Sequence, residues 1–214
     1  MPAPVIAFVG RSNSGKTTLI EKIIPELKKR GYRVATVKHV PGHLIEPADE
    51  RDSGRHLTAG AETAVINSPE KLIIVGKQNQ EASLLKVAWS LGEEFDIILA
   101  EGFKNSLVPK ILVHRHEAGK PPEGLTRVSA VVSDEAVGLE IQHFGLDDIM
   151  PIVDFLATTV IMPSNSRVDL LVNGEPVALS SYPREIIASV METMVKSLKG
   201  VGDIKDIEFR LRKS

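Results

Sequence analysis

Val5-Ile6-Ala7-Phe8-Val9, followed by Gly10-Arg11-Ser12-Asn13-Ser14-Gly15-Lys16-Thr17, decides the fold. Five apolar residues in a row read as a strand buried on both faces. The eight residues after them fit G-x-x-x-x-G-K-[ST] in full. From Lys16 onward, Leu19, Ile20, Ile23, Ile24 and Leu27 recur at helical spacing and stop before Gly31, and Lys28, Lys29 and Arg30 suit a helix C-terminus. Pro25 lies inside that helix, where it removes one backbone bond and is expected to produce a kink. A strand, a glycine-rich loop and an amphipathic helix in this order form a phosphate site. The glycines let backbone N–H groups close around phosphates, and the helix N-terminus adds partial positive charge. Lys16 reaches the β and γ phosphates, and Thr17 offers its hydroxyl to Mg²⁺.

Working outward, Arg33 to Lys38 reads as a second strand, completing a strand-helix-strand unit that is right-handed if the strands are parallel. Residues 39 to 62 are polar, with one short helix expected near Ser53 to Ala59, and a connection this long is usually functional. Strands are expected at Thr63 to Asn67, Leu72 to Val75, Asp96 to Ala100, Lys110 to His114 and Val128 to Val132. Helices are expected at Gln80 to Leu91 and from about Leu146 to Val160. The alternation predicts an α/β fold, a mostly parallel P-loop NTPase sheet occupying residues 1–163. Pro163-Ser164-Asn165-Ser166 reads as a linker. Residues 167–214 then read as a small α+β module of ββαβ order. In it, Val168 to Val172 and Glu175 to Leu179 flank an Asn173-Gly174 hairpin turn, a helix runs from Ser181 or Pro183 to Gly200, and Ile207, Phe209 and Leu211 alternate as a strand. A unit this small has a marginal core, so it is expected to dock on the main domain, a second copy or a partner.

Composition narrows the function. The chain has 214 residues with 26 Lys plus Arg against 28 Asp plus Glu, and a net charge of −2 gives no electrostatic reason for a nucleic acid or an acidic membrane as partner. It has no cysteine, so thiolate metal sites, iron–sulfur clusters and cysteine catalysis are excluded. Met1 to Gly10 lacks the basic start and small-residue cleavage pattern of a secretory signal. No apolar run approaches the ~20 residues of a membrane span. A cytoplasmic protein is expected.

A P-loop needs a carboxylate near its metal, and Asp96-Ile97-Ile98-Leu99-Ala100-Glu101 offers two. In a parallel sheet Glu101 ends its strand beside Gly10, whereas Asp96 lies roughly 16 Å back at ~3.3 Å per residue. Glu101 is therefore the candidate, either holding a water in the Mg²⁺ shell or orienting the attacking water; a solvated strand-end carboxylate is the plain alternative. Lys38 and His39 end the second strand on the same edge. Asp49, Glu50, Arg51 and Asp52 come next, and Asp52 suits either a helix cap or a hydrated Mg²⁺. His39 and His43 flank Pro41-Gly42, and His114 and His116 alternate on a strand, so no transition-metal cluster is read.

In this order the phosphate loop, Lys38-His39, Asp52-Ser53 leading to Ala59-Gly60-Ala61, Ala100-Glu101-Gly102-Phe103-Lys104 and Val132-Ser133-Asp134 resemble the MobB family over about residues 4 to 160. These are the molybdopterin-guanine dinucleotide biosynthesis proteins B. The resemblance implies a homodimeric GTP-binding adapter of molybdenum cofactor maturation with weak Mg²⁺-dependent GTPase activity. Its implied partner is the guanylyltransferase that attaches GMP to molybdopterin, or another molybdoenzyme maturation protein. It supports Gly10 and Ser12 to Thr18 (Ser12, Asn13, Ser14, Gly15, Lys16, Thr17 and Thr18) as the phosphate site. It supports Glu101 at the metal and is compatible with Asp52 there; together with the motif reading this makes Lys16 and Glu101 the catalytic candidates and Thr17, Glu101 and Asp52 the metal candidates. Guanine preference comes from the resemblance alone, since no N-K-x-D motif is present; Asp134 is a candidate base contact, and a capping aspartate fits it equally. The extension after Pro163 lies outside the resemblance. Two other functions fit a P-loop. A small-molecule kinase needs an arginine-bearing lid, for which Arg51 to Arg55 is the candidate, and a GTPase metallochaperone needs a ligand cluster that the sequence lacks.

Overall fold

In the computed structural model, which describes residues 3–42, 52–76, 78, 81–92, 94–161, 168, 170–173, 175–177, 181–204, 207 and 209, the run Val5–Val9 forms β1 with all five side chains buried. The amphipathic helix is α1 (Lys16–Lys29), and after it come β2 (Val34–Lys38), α2 (Asp52–Thr58), β3 (Thr63–Asn67), β4 (Leu72–Gly76) and α3 (Leu84–Ser90). The second half adds β5 (Ile97–Glu101), β6 (Lys110–His114), β7 (Val128–Ser133), β8 (Gln142–Phe144) and α4 (Ile149–Leu156), which ends in a π-helical turn at 157–161. The last elements are β9 (Leu170–Val172), β10 (Glu175–Val177) and α5 (Ser181–Lys196).

Six strands form one sheet in the order β2-β5-β1-β6-β7-β8, and every neighbouring pair is parallel. The expected α/β class is therefore correct. Period-2 alternation splits the central strands between two cores. Ile6 and Phe8 face α1 and α4 with Ile23, Leu27, Ile152 and Leu156, whereas Val5, Ala7 and Val9 face α3 with Leu84 and Ala88. Each fully buried Ile or Leu contributes about 1.5–3 kcal/mol relative to exposure, so both faces need their helices.

Several expectations change in detail. α1 runs through Pro25 as one helix; the proline is on the exposed side, where water can satisfy the carbonyl it leaves unpaired. β5 starts at Ile97 and ends on Glu101, one residue later than expected. Asp96 is left to bind Arg33 through its backbone N–H at 2.7 Å and its guanidinium at 3.2 Å. α3 begins only at Leu84, because the Ser83 hydroxyl accepts from the Lys86 N–H as an N-cap. The three-residue β8 has no sequence signal and forms by pairing Ala130 to Val132 of β7.

β3 and β4 make a separate antiparallel hairpin in which Val65 pairs Ile74. One face is half-buried through Ile66, Ile73 and Val75; the other presents Val65, Leu72 and Ile74, each 58–64% exposed. After residue 168, β9 and β10 pair around Asn173, whose φ of 55° is the left-handed turn geometry expected there, and β10 lies against α3. On α5, Ile187, Met191 and Val195 are half-buried while Ile186, Val190 and Met194 stay exposed. The expected last strand falls mostly outside the described residues, and Ile207 and Phe209 belong to no strand. Among the described residues no helix is long and apolar enough to cross a membrane.

Candidate nucleotide site

The C-terminal edge of the parallel sheet is where an open α/β fold binds ligands, and the loop from Gly10 to Gly15 lies there between β1 and α1. Close packing fixes its glycines. A Cβ on Gly10 would come within 2.1 Å of the Val113 carbonyl oxygen, and Gly15 has φ +91° with the Arg115 guanidinium 3.1 Å from where its Cβ would lie. Asn13 also takes a left-handed conformation, at φ 65°. Ser14 is fully buried, and its Oγ has no hydrogen-bond partner among the described residues.

Lys16 folds over its own loop, donating from Nζ to the Gly10 carbonyl at 3.3 Å and the Arg11 carbonyl at 2.6 Å. Burial pushes its pKa below the ordinary lysine value; Glu101 works against that shift and Lys38 adds to it. The Thr17 hydroxyl donates to the Glu101 carboxylate, with Oε1 at 2.8 Å and Oε2 at 2.9 Å. Lys38 Nζ is 3.3 Å from Glu101 Oε1, because register pairs Lys38 with Glu101 across β2 and β5. A hydroxyl, a carboxylate and two ammonium groups thus converge at the N-terminus of α1. The oxygen pair is hard and its charge single, a donor set that suits Mg²⁺.

These groups line a cleft of about 1610 Å³ that extends over His39, Ala82 to Leu85, Phe103 to Leu107, Arg115 and Pro122 to Leu125. His39 Nε2 is 2.8 Å from Glu81 Oε1, and its ring lies 5.2 Å from that of Phe103. Gly10, Ser12, Asn13, Gly15, Lys16, Thr17, Thr18 and Glu101 all line the cleft, and Ser14 is buried behind it. Asp52 opens α2, but its side chain lies outside the described residues, as do His43, Asp49, Glu50 and Arg51. Asp134 is not in the lining; its Oδ1 accepts from the His116 backbone N–H at 2.9 Å.

Three features escaped the sequence. Lys110 is fully buried, and its Nζ donates to the carbonyls of Ser106 at 2.5 Å, Thr126 at 3.0 Å and Val108 at 3.2 Å, tying two cleft walls together. Arg115, just past β6, packs on Gly15. His114 and His116 do not merely alternate on a strand: β6 ends at His114, and both rings bond Glu135, His114 Nε2 to Oε1 at 2.6 Å and His116 Nδ1 to Oε2 at 2.7 Å. The signal available was only that Lys110 opens β6 while His114, Arg115 and His116 lie at or just past its close; which strand neighbours β1 was not readable.

The hydrogen bond to Glu135, aided by its charge, holds the His116 pKa above the ordinary value, and the bonds from His114 and then His116 hold Glu135 below its own. A raised histidine adds stability that is full below its unfolded value and fades as pH climbs through the folded value. A lowered carboxylate adds stability that is full above its unfolded value and fades as pH falls through the folded one. The contact is therefore strongest between the ordinary values of 4.5 for Glu135 and 6.5 for His116. In an NMR titration His116 is expected to titrate above a free histidine, and Glu135→Gln to return it to the ordinary value. An ordinary His116 pKa in the parent protein would count against the contact.

Residues 5–134 match the family described as MobB, molybdopterin guanine dinucleotide synthesis protein B. A molybdopterin-guanine dinucleotide biosynthesis adapter protein from Haemophilus influenzae is 35% identical over 155 residues, covering 72% of this chain and 87% of its own. A crystal structure of a molybdopterin-guanine biosynthesis protein B superposes with a TM-score of 0.56 at 30% identity, over 72% of this chain and 98% of the other. A Methanocaldococcus jannaschii relative, provisionally described as an adapter of the same biosynthesis, is 24% identical along 97% of both chains.

Proposed function

The chain belongs to the MobB family of molybdopterin guanine dinucleotide biosynthesis, and from that premise we propose that it is a GTP-binding adapter with weak Mg²⁺-dependent GTPase activity. The observation that carries the reading is the convergence of Lys16, Thr17 and Glu101 on a complete phosphate loop. The Gly10 to Thr18 backbone cradles the phosphates, and Lys16 exchanges its two loop carbonyls for β and γ phosphate oxygens. Thr17 and Glu101, with Asp52 as a further candidate, would hold the metal. Mg²⁺, when bound, neutralises charge on the β and γ oxygens. Glu101 holds or orients water at that position, and Lys38 beside it fixes the aim of the carboxylate. Asp134 is the candidate base contact; its Oδ1 accepts from the His116 amide, and a carboxylate has lone pairs enough to accept from guanine as well.

Glu101→Gln is expected to leave GTP affinity within about threefold of the parent while slowing single-turnover hydrolysis by about a hundredfold or more. Equal rates in the two proteins would reduce Glu101 to a strand-end carboxylate.

The partner in this reading is the guanylyltransferase or another molybdoenzyme maturation protein, in the cytoplasm, and the adapter acts as a homodimer. Support for the dimer comes from the β3-β4 hairpin. A lone two-stranded hairpin is marginal in water, and its outward Val65, Leu72 and Ile74 form an uncovered apolar face. Sedimentation at micromolar concentration is expected to give a dimer for the parent and a monomer for Ile74→Lys; a monomeric parent would remove this part of the reading.

A further inference from the structure

We propose that Arg115 is a further nucleotide-binding residue, gripping the α-phosphate on the flank of the phosphate loop opposite Glu101. The assignment rests on the nucleotide reading of the cleft given above.

β1 has two neighbours in the sheet, β5 and β6, and the C-terminal ends of both flank the phosphate loop. On the β5 side stands Glu101, bonded to Thr17, which is the metal flank and so the side of the β and γ phosphate oxygens. On the β6 side stands Arg115, half-buried in the cleft lining, with its guanidinium against Gly15. A triphosphate whose metal-bound end lies at Thr17 turns its nucleoside end toward the β6 flank, and the α-phosphate comes first there.

The side chain is built to wait for an anion. Its Nε is buried without a hydrogen-bond partner, and the guanidinium makes no hydrogen bond or ion pair with any described residue. An arginine fork left unpaired beside backbone N–H groups is costly unless something planar and anionic fills it, and a phosphate matches it with two parallel bonds. Asp147 does not fill it. That carboxyl is held below its ordinary range first by the hydrogen bond from Lys22 Nζ, at 2.9 Å, and only last by the charge of Arg115.

The backbone on both sides of Arg115 is fastened. His114 and His116 both bond Glu135, the His116 amide is capped by Asp134, and His143 Nε2 lies 3.2 Å from the Glu135 carbonyl oxygen. Glu135 is thus a positioning residue: it holds the residues before and after Arg115 to β7, so that the arginine between them projects at the phosphate loop. This clamp accounts for two buried or bonded histidines that phosphate chemistry itself does not use.

The test is affinity for GDP and GTP, by calorimetry on the full chain, in the parent, Arg115→Gln, Arg115→Lys and Glu135→Gln. Arg115→Gln is expected to weaken both nucleotides equally, by roughly ten- to a hundredfold, and to flatten the salt dependence of binding, with the unfolding midpoint unchanged. Arg115→Lys should recover part of the loss, since it restores charge without the fork. Glu135→Gln should weaken both nucleotides by a smaller factor, about threefold to tenfold, through loss of aim. Unchanged affinity in Arg115→Gln overturns the assignment. A loss confined to GTP also overturns it, because the contact would then be to the γ-phosphate. Failure of the parent to bind either nucleotide overturns the reading of the cleft itself, and this assignment with it.

Discussion

Lys16→Ala is expected to weaken GTP binding by about 2–5 kcal/mol, roughly thirtyfold to several thousandfold, while leaving the unfolding transition where it is. The side chain contributes nothing to either hydrophobic core, so its removal creates no cavity. What it does contribute is a partly desolvated ammonium, 2.6 Å from the Arg11 carbonyl and 3.3 Å from that of Gly10, poised at the helix N-terminus. In the variant those carbonyls still face the cleft and can take water, so the loop itself is not left with buried unpaired groups. Calorimetry with GTP, alongside a thermal melt, reads both halves of the expectation. Undiminished affinity with a native melt would show that the loop binds no phosphate.

Lys110→Met is expected to cost about 2–4 kcal/mol of unfolding free energy and to weaken the cleft as well. An ammonium has three N–H donors, and Lys110 spends all three on the carbonyls of Ser106, Val108 and Thr126. Burial pushes its pKa down, with the Arg127 charge pushing the same way, yet a neutral amine would have only two donors for three acceptors. The cage therefore holds the charged form. Methionine matches the volume of the stem but donates nothing, leaving three partly or fully buried carbonyls to find water. Both loops tied by this ammonium carry cleft residues, Phe103 to Leu107 on one and Pro122 to Leu125 on the other. Urea unfolding of the parent, Lys110→Met and Lys110→Arg measures the effect, and a Met variant as stable as the parent would mean the cage is not formed in solution.

The phosphate loop and its flanks were legible because their chemistry is local. Gly10 to Thr17 must be contiguous to cradle a phosphate, and β1 and α1 carry their periodicity in consecutive residues. Glu101 was legible one step further out, since parallel geometry alone decides which end of β5 meets the loop. The clamp at Glu135 and the cage at Lys110 were not. Each joins residues from separate segments that only the strand order β2-β5-β1-β6-β7-β8 brings together. A lysine between Pro109 and Ile111 looks like an exposed strand residue, and nothing nearby in the sequence shows that loop carbonyls close over it. The expected kink at Pro25 failed for a related reason: where the missing hydrogen bond points depends on which side of the helix faces the core.

The central position of β1 also has a consequence for how the chain is made. Val5–Val9 is synthesised well before its partners in the sheet, Ile98 to Glu101 and Lys110 to Leu112. At roughly 5–20 residues per second, the first strand waits about 5–20 s for its first neighbour to be translated. Contacts this distant along the chain also make folding slow after release. During that interval a five-residue uncharged β-forming stretch is open to pairing with another nascent chain. Pro4 before it and Arg11 after it are the residue types that block such pairing, so an arginine of the phosphate loop also guards the strand that waits longest for its neighbours.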